Sequence, residues 1–373
     1  PLGPAREDAP TNAKEAIRQG LDLIGEVEKD SPFYAKAKYL EGLLQYLDQS
    51  DQDSVNAFQE VVRVLNPREG AKLDPKLREQ AFLSLARIHY GHKQFNRSVY
   101  YYDLIDRDSE NWLTALFEAS WAYYRRGDFD KALGNLLTLH SPFFEREYFP
   151  ESQLVKAIIY FEACRYAETR GIVDDFIGRF TRVMTEIEKL ASSKETPERL
   201  YDRIEELEAL AEDDQGDDVT ARVVSVALAD PEIRRVRSVV EQTKEEIDLL
   251  GTMPDAIKQS RLTQEMGGQL REQLATRIRD AGETTRKKFE RELYELRSLL
   301  AQALRIKIEV ARSEREVLER RLSGGQGDEV IPAQARTVVD DEHLYWPYEG
   351  EYWRDELGTY ELDFSMCRPL AAR

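Results

Sequence analysis

Apolar positions recur at helical spacing along most of the chain, and in the first half they recur as a helical pair repeated four times. The clearest copy runs from Leu116 to Leu139. It has Tyr123 on the first helix, Gly127-Asp128-Phe129 at the turn, and Ala132, Leu136 and Leu139 on the second. Thirty-four residues earlier the matching places hold His89, Phe95, Ser98, Tyr102 and Ile105; thirty-seven later they hold Tyr160, Tyr166, Thr169, Val173 and Phe176. A first copy carries Gly42, Ser54, Phe58 and Val61, followed by the loop Asn66-Pro67-Arg68-Glu69-Gly70. Each copy places a small residue (Gly42, Ala86, Ser120, Ala157) where its first helix crosses the second, and another (Ser54, Ser98, Ala132, Thr169) answers it. Small side chains permit that close approach, and the large ones between them fill the gap to the next pair. A lone helix around Ala16, Gly20 and Leu23 reads as the second half of a further copy.

This pattern resembles the tetratricopeptide repeat, whose usual length is about 34 residues. The resemblance covers roughly 13–180, without the hallmark tryptophan and with two copies lacking the turn glycine. It implies a solenoid whose first helices line a concave groove. Projecting the face opposite the packing positions puts Lys36, Tyr39, Leu43 and Tyr46 on that groove, then Leu83, Arg87 and Tyr90. Phe117, Trp121, Tyr124 and Arg125 follow, then Leu154, Ile158 and Phe161. Aromatics mixed with arginine are the composition of protein-binding hot spots.

Beyond Thr181 the pattern changes. Thr196-Pro197-Glu198 reads as a helix start, with Leu200, Ile204, Leu207 and Leu210 as its stripe. Residues 213–218 form a like-charged linker, and a second helix spans Pro231 to about Leu250 before Gly251-Thr252-Met253-Pro254 breaks it. The third and longest helix is predicted over 255–322. Phe289, Leu296, Ala303, Val310 and Val317 recur every seven residues, with Leu299 and Ile306 alongside, so it should pair with another helix. Gly267-Gly268 and Gly282 are expected to loosen its first part. Antiparallel pairing with the two preceding helices is the simplest solution, and a homodimer through the long helix is the other. Ser323-Gly324-Gly325-Gln326-Gly327 is a flexible linker. After it come seven aromatics within twenty residues, too many for a disordered tail. Tyr345, Trp346, Tyr348, Tyr352 and Trp353 are therefore expected in a small hairpin or clip covering another surface, and the alternation from Glu361 to Met366 reads as a strand.

The expected fold class is all-α: a tetratricopeptide-like solenoid, an antiparallel coiled coil built on one long helix, and an aromatic C-terminal clip. The domain boundaries are 1–10 for a lead, 11–180 for about four and a half repeats, 181–322 for the coiled-coil helices and 323–373 for the linker and clip. Pro1-Leu2-Gly3 reads as the scar of a protease cleavage site, and the chain as a truncation.

Charge and composition narrow the function. The 373 residues carry 53 basic and 71 acidic side chains, a formal net charge of −18, which argues against a nucleic-acid or anionic-membrane partner. No apolar run is long enough to span a bilayer. The long helix alone has 12 acidic against 16 basic residues, matching its acidic neighbours or an acidic partner. Of four histidines, His89 and His92 are spaced to share a helix face, but no ligand completes a metal set; His140 and His343 stand apart. The two cysteines, Cys164 and Cys367, exclude a disulfide scaffold, and whether they pair is open. Phosphate loop, dinucleotide fingerprint and nucleophile elbow are all missing, so no cofactor, metal or catalytic residue is assigned.

The stretch Leu344-Tyr345-Trp346-Pro347-Tyr348-Glu349-Gly350-Glu351-Tyr352-Trp353-Arg354-Asp355-Glu356-Leu357-Gly358 resembles the carboxyl ends of tetratricopeptide envelope proteins of myxobacteria and their relatives, some of them in the gliding-motility apparatus. That resemblance implies a periplasmic, non-catalytic scaffold in a multiprotein envelope assembly, with a cytoplasmic location as the alternative. A competing reading is an autoinhibited binding module whose aromatic tail occupies its own groove.

Overall fold

The computed structural model describes residues 11–66, 74–145, 147–212, 218–323 and 350–362. Among these residues the secondary structure is helical, with no strand. The chain divides into two compact units, 1–141 with 333–365 and 142–332 with 366–373.

The first unit starts with α1 (Thr11–Gly25) and continues as three helical pairs: α2 (Tyr34–Leu47) with α3 (Asp51–Val64), α4 (Pro75–Gly91) with α5 (Phe95–Tyr102), and α6 (Trp112–Arg126) with α7 (Phe129–Leu139). The second unit opens with a fourth pair of the same kind, α8 (Pro150–Glu162) with α9 (Tyr166–Ala191). The small residues at the crossings are buried in all four pairs: Gly42 with Ser54, Ala86 with Ser98, Ser120 with Ala132, and Ala157 with Thr169. At the first crossing the Phe58 ring lies where a Cβ on Gly42 would sit, and Ser54 Oγ donates to the Gly42 carbonyl at 2.7 Å.

The four turns share one geometry. Gln49, Lys93, Gly127 and Cys164 all have positive φ, at 63°, 58°, 83° and 58°. In each, the N–H of that residue reaches the carbonyl three residues back, and the next N–H reaches the carbonyl five back; Gln94 N–H to His89 O, at 2.8 Å, is one case. This is the αL termination of a helix, which caps two carbonyls that the ending helix leaves open. Only one copy uses glycine for it, so a glycine search by sequence finds one turn out of four.

In the second unit α9 runs past residue 180 without a break, and its Phe176, Phe180, Val183 and Ile187 enter a core with α10 (Pro197–Glu212), α11 (Asp218–Ala229) and α14 (Arg261–Leu322). Between them lie α12 (Pro231–Thr252) and the short α13 (Asp255–Lys258). The predicted seam of the long helix is buried in this core through Phe289, Leu296, Leu299 and Ala303, and Val310 further along it is buried too. Three ion pairs fix α14 antiparallel to α9: Arg297 with Glu188 at 2.7 Å, Lys307 with Asp174 at 2.6 Å, and Glu314 with Arg170. The long helix thus packs on its own chain.

Two details depart from expectation. The long helix starts at Arg261, after α13, and continues unbroken through Gly267, Gly268 and Gly282. Gly282 is a contact residue: a Cβ there would fall 1.9 Å from the Pro197 carbonyl oxygen, so its absence lets the start of α10 lie on α14. The second departure is α11, an additional helix whose Val219, Val223, Val226 and Ala227 are buried. Its β-branched run is a poor helix sequence on propensity alone, and burial overrides that preference.

Candidate functional site: the first-helix faces and the C-terminal segment

The projected groove residues take three different roles. Tyr46, Tyr90, Tyr124 and Phe161 occupy one position, the residue whose carbonyl receives the αL N–H of the turn. In three copies the ring packs on the first aromatic of the following helix: Tyr90 on Phe95 at 5.4 Å, Tyr124 on Phe129 at 5.9 Å, and Phe161 on Tyr166 at 5.6 Å. These rings therefore clamp the turns of their own pairs. In the first copy the corresponding residue of the second helix is Asp51, and Tyr46 is exposed.

A second group makes contacts to neighbouring helices of the first unit while Arg87 and Arg125 stay exposed. Arg87 forms a two-pronged ion pair with Glu118, Nε to Oε2 and Nη2 to Oε1, both at 2.8 Å, and the Tyr102 hydroxyl donates to the same carboxylate at 2.8 Å. Burial pushes the Tyr102 phenol far above its ordinary range, with the Glu118 charge adding to the effect. The guanidinium projected as a ligand-facing hot spot thus ties α4 to α6. Tyr39 packs against Phe58 at 5.4 Å, Phe117 is buried, Trp121 stacks edge-on with Tyr124 at 5.8 Å, and Arg125 lies over Phe95 at 5.6 Å.

The face of α2 is exposed. Lys36, Leu40, Leu43, Tyr46 and Leu47 are all exposed or partly so, at spacings that place them along one side of a helix. Their stripe covers about three turns.

The C-terminal segment has its own seat, on α5 to α7. Gly358 N–H donates to Thr138 Oγ1 at 2.9 Å, Leu362 N–H to the Asp130 carbonyl at 3.1 Å, and Arg107 Nη1 to the Asp355 carbonyl at 2.8 Å. Among the described residues of the segment, Leu357 is the one buried large side chain. Within the segment the Tyr360 hydroxyl accepts from Trp353 N–H at 2.9 Å, and the Tyr352 and Tyr360 rings meet edge-on at 6.5 Å. Of the clip residues, Tyr352 and Trp353 are therefore parts of a compact turn, while Tyr345, Trp346 and Tyr348 lie outside the described residues, as do residues 363–366 of the predicted strand. The contacts made by residues 355–362 fall on Arg107, Trp112, Asp130, Lys131, Gly134 and Thr138, a different set from the projected groove.

Under this segment lies a cavity of about 400 Å³, lined among others by Tyr102, Asp103, Trp112, Tyr123, Lys131 and Tyr360. Several of its polar groups are paired with one another. The Tyr123 hydroxyl donates to both Asp103 oxygens at 3.1 Å, Lys131 reaches Glu361 at 3.5 Å, and Asn135 donates to the Leu116 carbonyl at 3.3 Å. Desolvation raises the Asp103 carboxyl and, together with the Asp103 charge, the Tyr123 phenol. Of these pairs, Lys131–Glu361 reaches the C-terminal segment.

The histidines turn to separate partners, His89 Nδ1 to Gln94 Oε1 at 2.7 Å and His92 Nε2 to Asp51 at 2.9 Å. Among the described residues no group of three histidine, cysteine or carboxylate side chains could hold a metal ion. Cys164 is disulfide-bonded at its turn, and Cys367 lies outside the described residues. Among the described residues no helix is long and apolar enough to cross a membrane. No family model, no curated protein and no solved structure matches this chain.

Proposed function

We propose that this chain is a non-catalytic protein–protein interaction scaffold of the tetratricopeptide type, working in a multiprotein bacterial cell-envelope assembly. The observation that carries the reading is the exposed stripe Leu40, Leu43, Tyr46 and Leu47 on α2, continued by Lys36. Four repeated pairs with small residues at their crossings support the repeat assignment. The envelope part of the reading, of the gliding-motility kind and on the periplasmic side, rests on the resemblance of the stretch Leu344 to Gly358 to the carboxyl ends of myxobacterial tetratricopeptide envelope proteins.

Leucine and tyrosine side chains in a row on one helix suit an apolar helix or strand of a partner, each fully covered side chain adding about 1.5–3 kcal/mol. The test is a photo-activated cross-linker placed at Leu43 in the protein expressed in its native cell, followed by mass spectrometry. Cross-links to envelope proteins are the expected result. Links confined to this chain, or to cytoplasmic proteins, would overturn the partner and the compartment respectively.

A further inference from the structure

The chain has two cysteines, and Cys164 is disulfide-bonded. Within one chain its partner can only be Cys367, which belongs to the same compact unit. Cys164 stands at the αL place of its turn, where the other three pairs carry Gln49, Lys93 and Gly127, so the turn itself has no need of sulfur. The residue is partly exposed, and a thiol from solvent can reach it. Cys367 follows the C-terminal segment closely. Only residues 363–366 separate it from Leu362, whose N–H donates to the Asp130 carbonyl at 3.1 Å. On its other side the segment is joined to α14 through the much longer stretch 324–349. The segment's own hold, among the described residues, is modest. It consists of the N–H groups of Gly358 and Leu362, the burial of Leu357, and contacts to Arg107 and Lys131, whose side chains stay largely in water.

We infer that the Cys164–Cys367 bond is a redox latch. Closed, it keeps the C-terminal segment on α5 to α7; reduced, it releases the segment and opens the seat at Trp112, Gly134 and Thr138. The chemistry is thiol–disulfide exchange with a dithiol. One sulfur of the dithiol attacks a sulfur of the latch, the Cys164–Cys367 bond breaks, and a mixed disulfide forms. The second sulfur of the dithiol then displaces the protein sulfur. The dithiol ends as a disulfide, and its two electrons and two protons end on Cys164 and Cys367 as thiols. A disulfide donor runs the same steps in reverse. The return of a tethered segment to its seat falls roughly as the −3/2 power of tether length. Losing the short tether and keeping the long one therefore raises the undocked population about tenfold. The inference rests on the two cysteines and does not depend on the α2 interface or on the compartment proposed above.

The first measurement is made on the full chain equilibrated with oxidised glutathione, then digested with trypsin under denaturing, non-reducing conditions. The expected product is peptide 157–165 joined to peptide 355–373, with no titratable thiol in the intact chain. The second is the rate of trypsin cleavage after the exposed Arg354 in the native chain, with and without dithiothreitol. Reduction should speed that cleavage about tenfold, since cleavage follows the open population. Cys164→Gly supplies the residue that Gly127 supplies in the third pair, so the turn keeps its backbone. It and Cys367→Ser should both cleave at the reduced rate and ignore dithiothreitol, with an unchanged helical circular-dichroism spectrum. Two free thiols, or glutathione on either cysteine in place of the cross-link, overturns the inference. So does a cleavage rate that reduction leaves unchanged, or a cysteine variant that cleaves as slowly as the oxidised chain.

Discussion

Gly134 on α7 and Tyr360 of the C-terminal segment touch backbone to backbone: a Cβ on Gly134 would sit 1.7 Å from the Tyr360 carbonyl oxygen. The reciprocal contact is Gly358, held at φ +89°, where a Cβ would meet the Trp112 ring at 2.6 Å. Two hydrogen bonds from the segment's N–H groups, at Gly358 and Leu362, depend on that approach. Gly134→Ala should therefore release the segment without unfolding α7, because alanine favours the helix. The loss is bounded by what docking contributes, chiefly the burial of Leu357 and is expected at about 1–3 kcal/mol. Trypsin cleavage after the exposed Arg354 should speed up in the variant; equal cleavage rates would show that the contact does not hold the segment.

The turns offer the opposite test, a gain. Gln49 and Lys93 adopt a left-handed backbone that costs a residue with a Cβ about 1–2 kcal/mol, and Gly127 shows that glycine serves at the equivalent place. Part of that gain is offset by the extra freedom glycine brings to the unfolded chain. Lys93→Gly should raise stability by about 0.5–1 kcal/mol, read as an upward shift in the chemical-denaturation midpoint at constant slope. A lower midpoint would mean that the lysine side chain contributes more than its backbone strain costs.

The sequence was informative where one residue type has one physical use. Gly42, Ala86, Ser120 and Ala157 mark helix crossings because nothing larger fits, and Phe289, Leu296, Ala303 and Val310 mark a seam because their spacing has one geometric meaning. It was less informative where a position is defined by conformation: Gln49, Lys93 and Cys164 give no compositional sign of positive φ. Composition could not separate two roles at Arg87, Tyr90 and Tyr124, since an arginine or aromatic on a first helix looks the same whether it faces a ligand or braces its neighbour. The seat of the C-terminal segment was not legible at all. Gly134 and Tyr360 are brought together by the fold over more than two hundred residues, and no local pattern records it.

Inside the second unit, Glu292 is almost wholly buried on α14, accepting a hydrogen bond from the Tyr148 hydroxyl at 2.6 Å and facing Lys288 at 3.2 Å. Burial, with the Glu292 charge next, pushes the Tyr148 phenol well above its ordinary range, so it stays a donor at any working pH. Removing one member of a buried charged pair strands the other. Glu292→Ala should cost about 3 kcal/mol or more, and Tyr148→Phe, which leaves the Lys288 contact in place, about 1–2 kcal/mol. Denaturation of both variants and of the double variant gives the coupling directly; additive losses would show that the two groups act independently.

His89 gives the chain a pH dependence of calculable sign. The ring is buried, stacked at 5.5 Å on Tyr101 with its planes 2° apart, and Nδ1 lies 2.7 Å from Gln94 Oε1, an acceptor, so the neutral ring carries its proton there. Nε2 is buried with no partner, and a second proton on that atom would be stranded. Desolvation accordingly lowers the folded-state pKa below 6.5, and the Arg97 and His92 charges add to it. Because the unfolded chain binds that proton at higher pH than the folded one, the stabilisation is present above pH 6.5 and drains away as pH falls through 6.5 toward the lower folded value. His89→Gln should lower stability at neutral pH through lost stacking, and it should also flatten the loss on acidification from pH 7 to 5. The quantity to compare is the slope of unfolding free energy against pH in the two proteins. Parallel slopes would mean that His89 protonates as easily folded as unfolded, and that its burial costs the cation nothing.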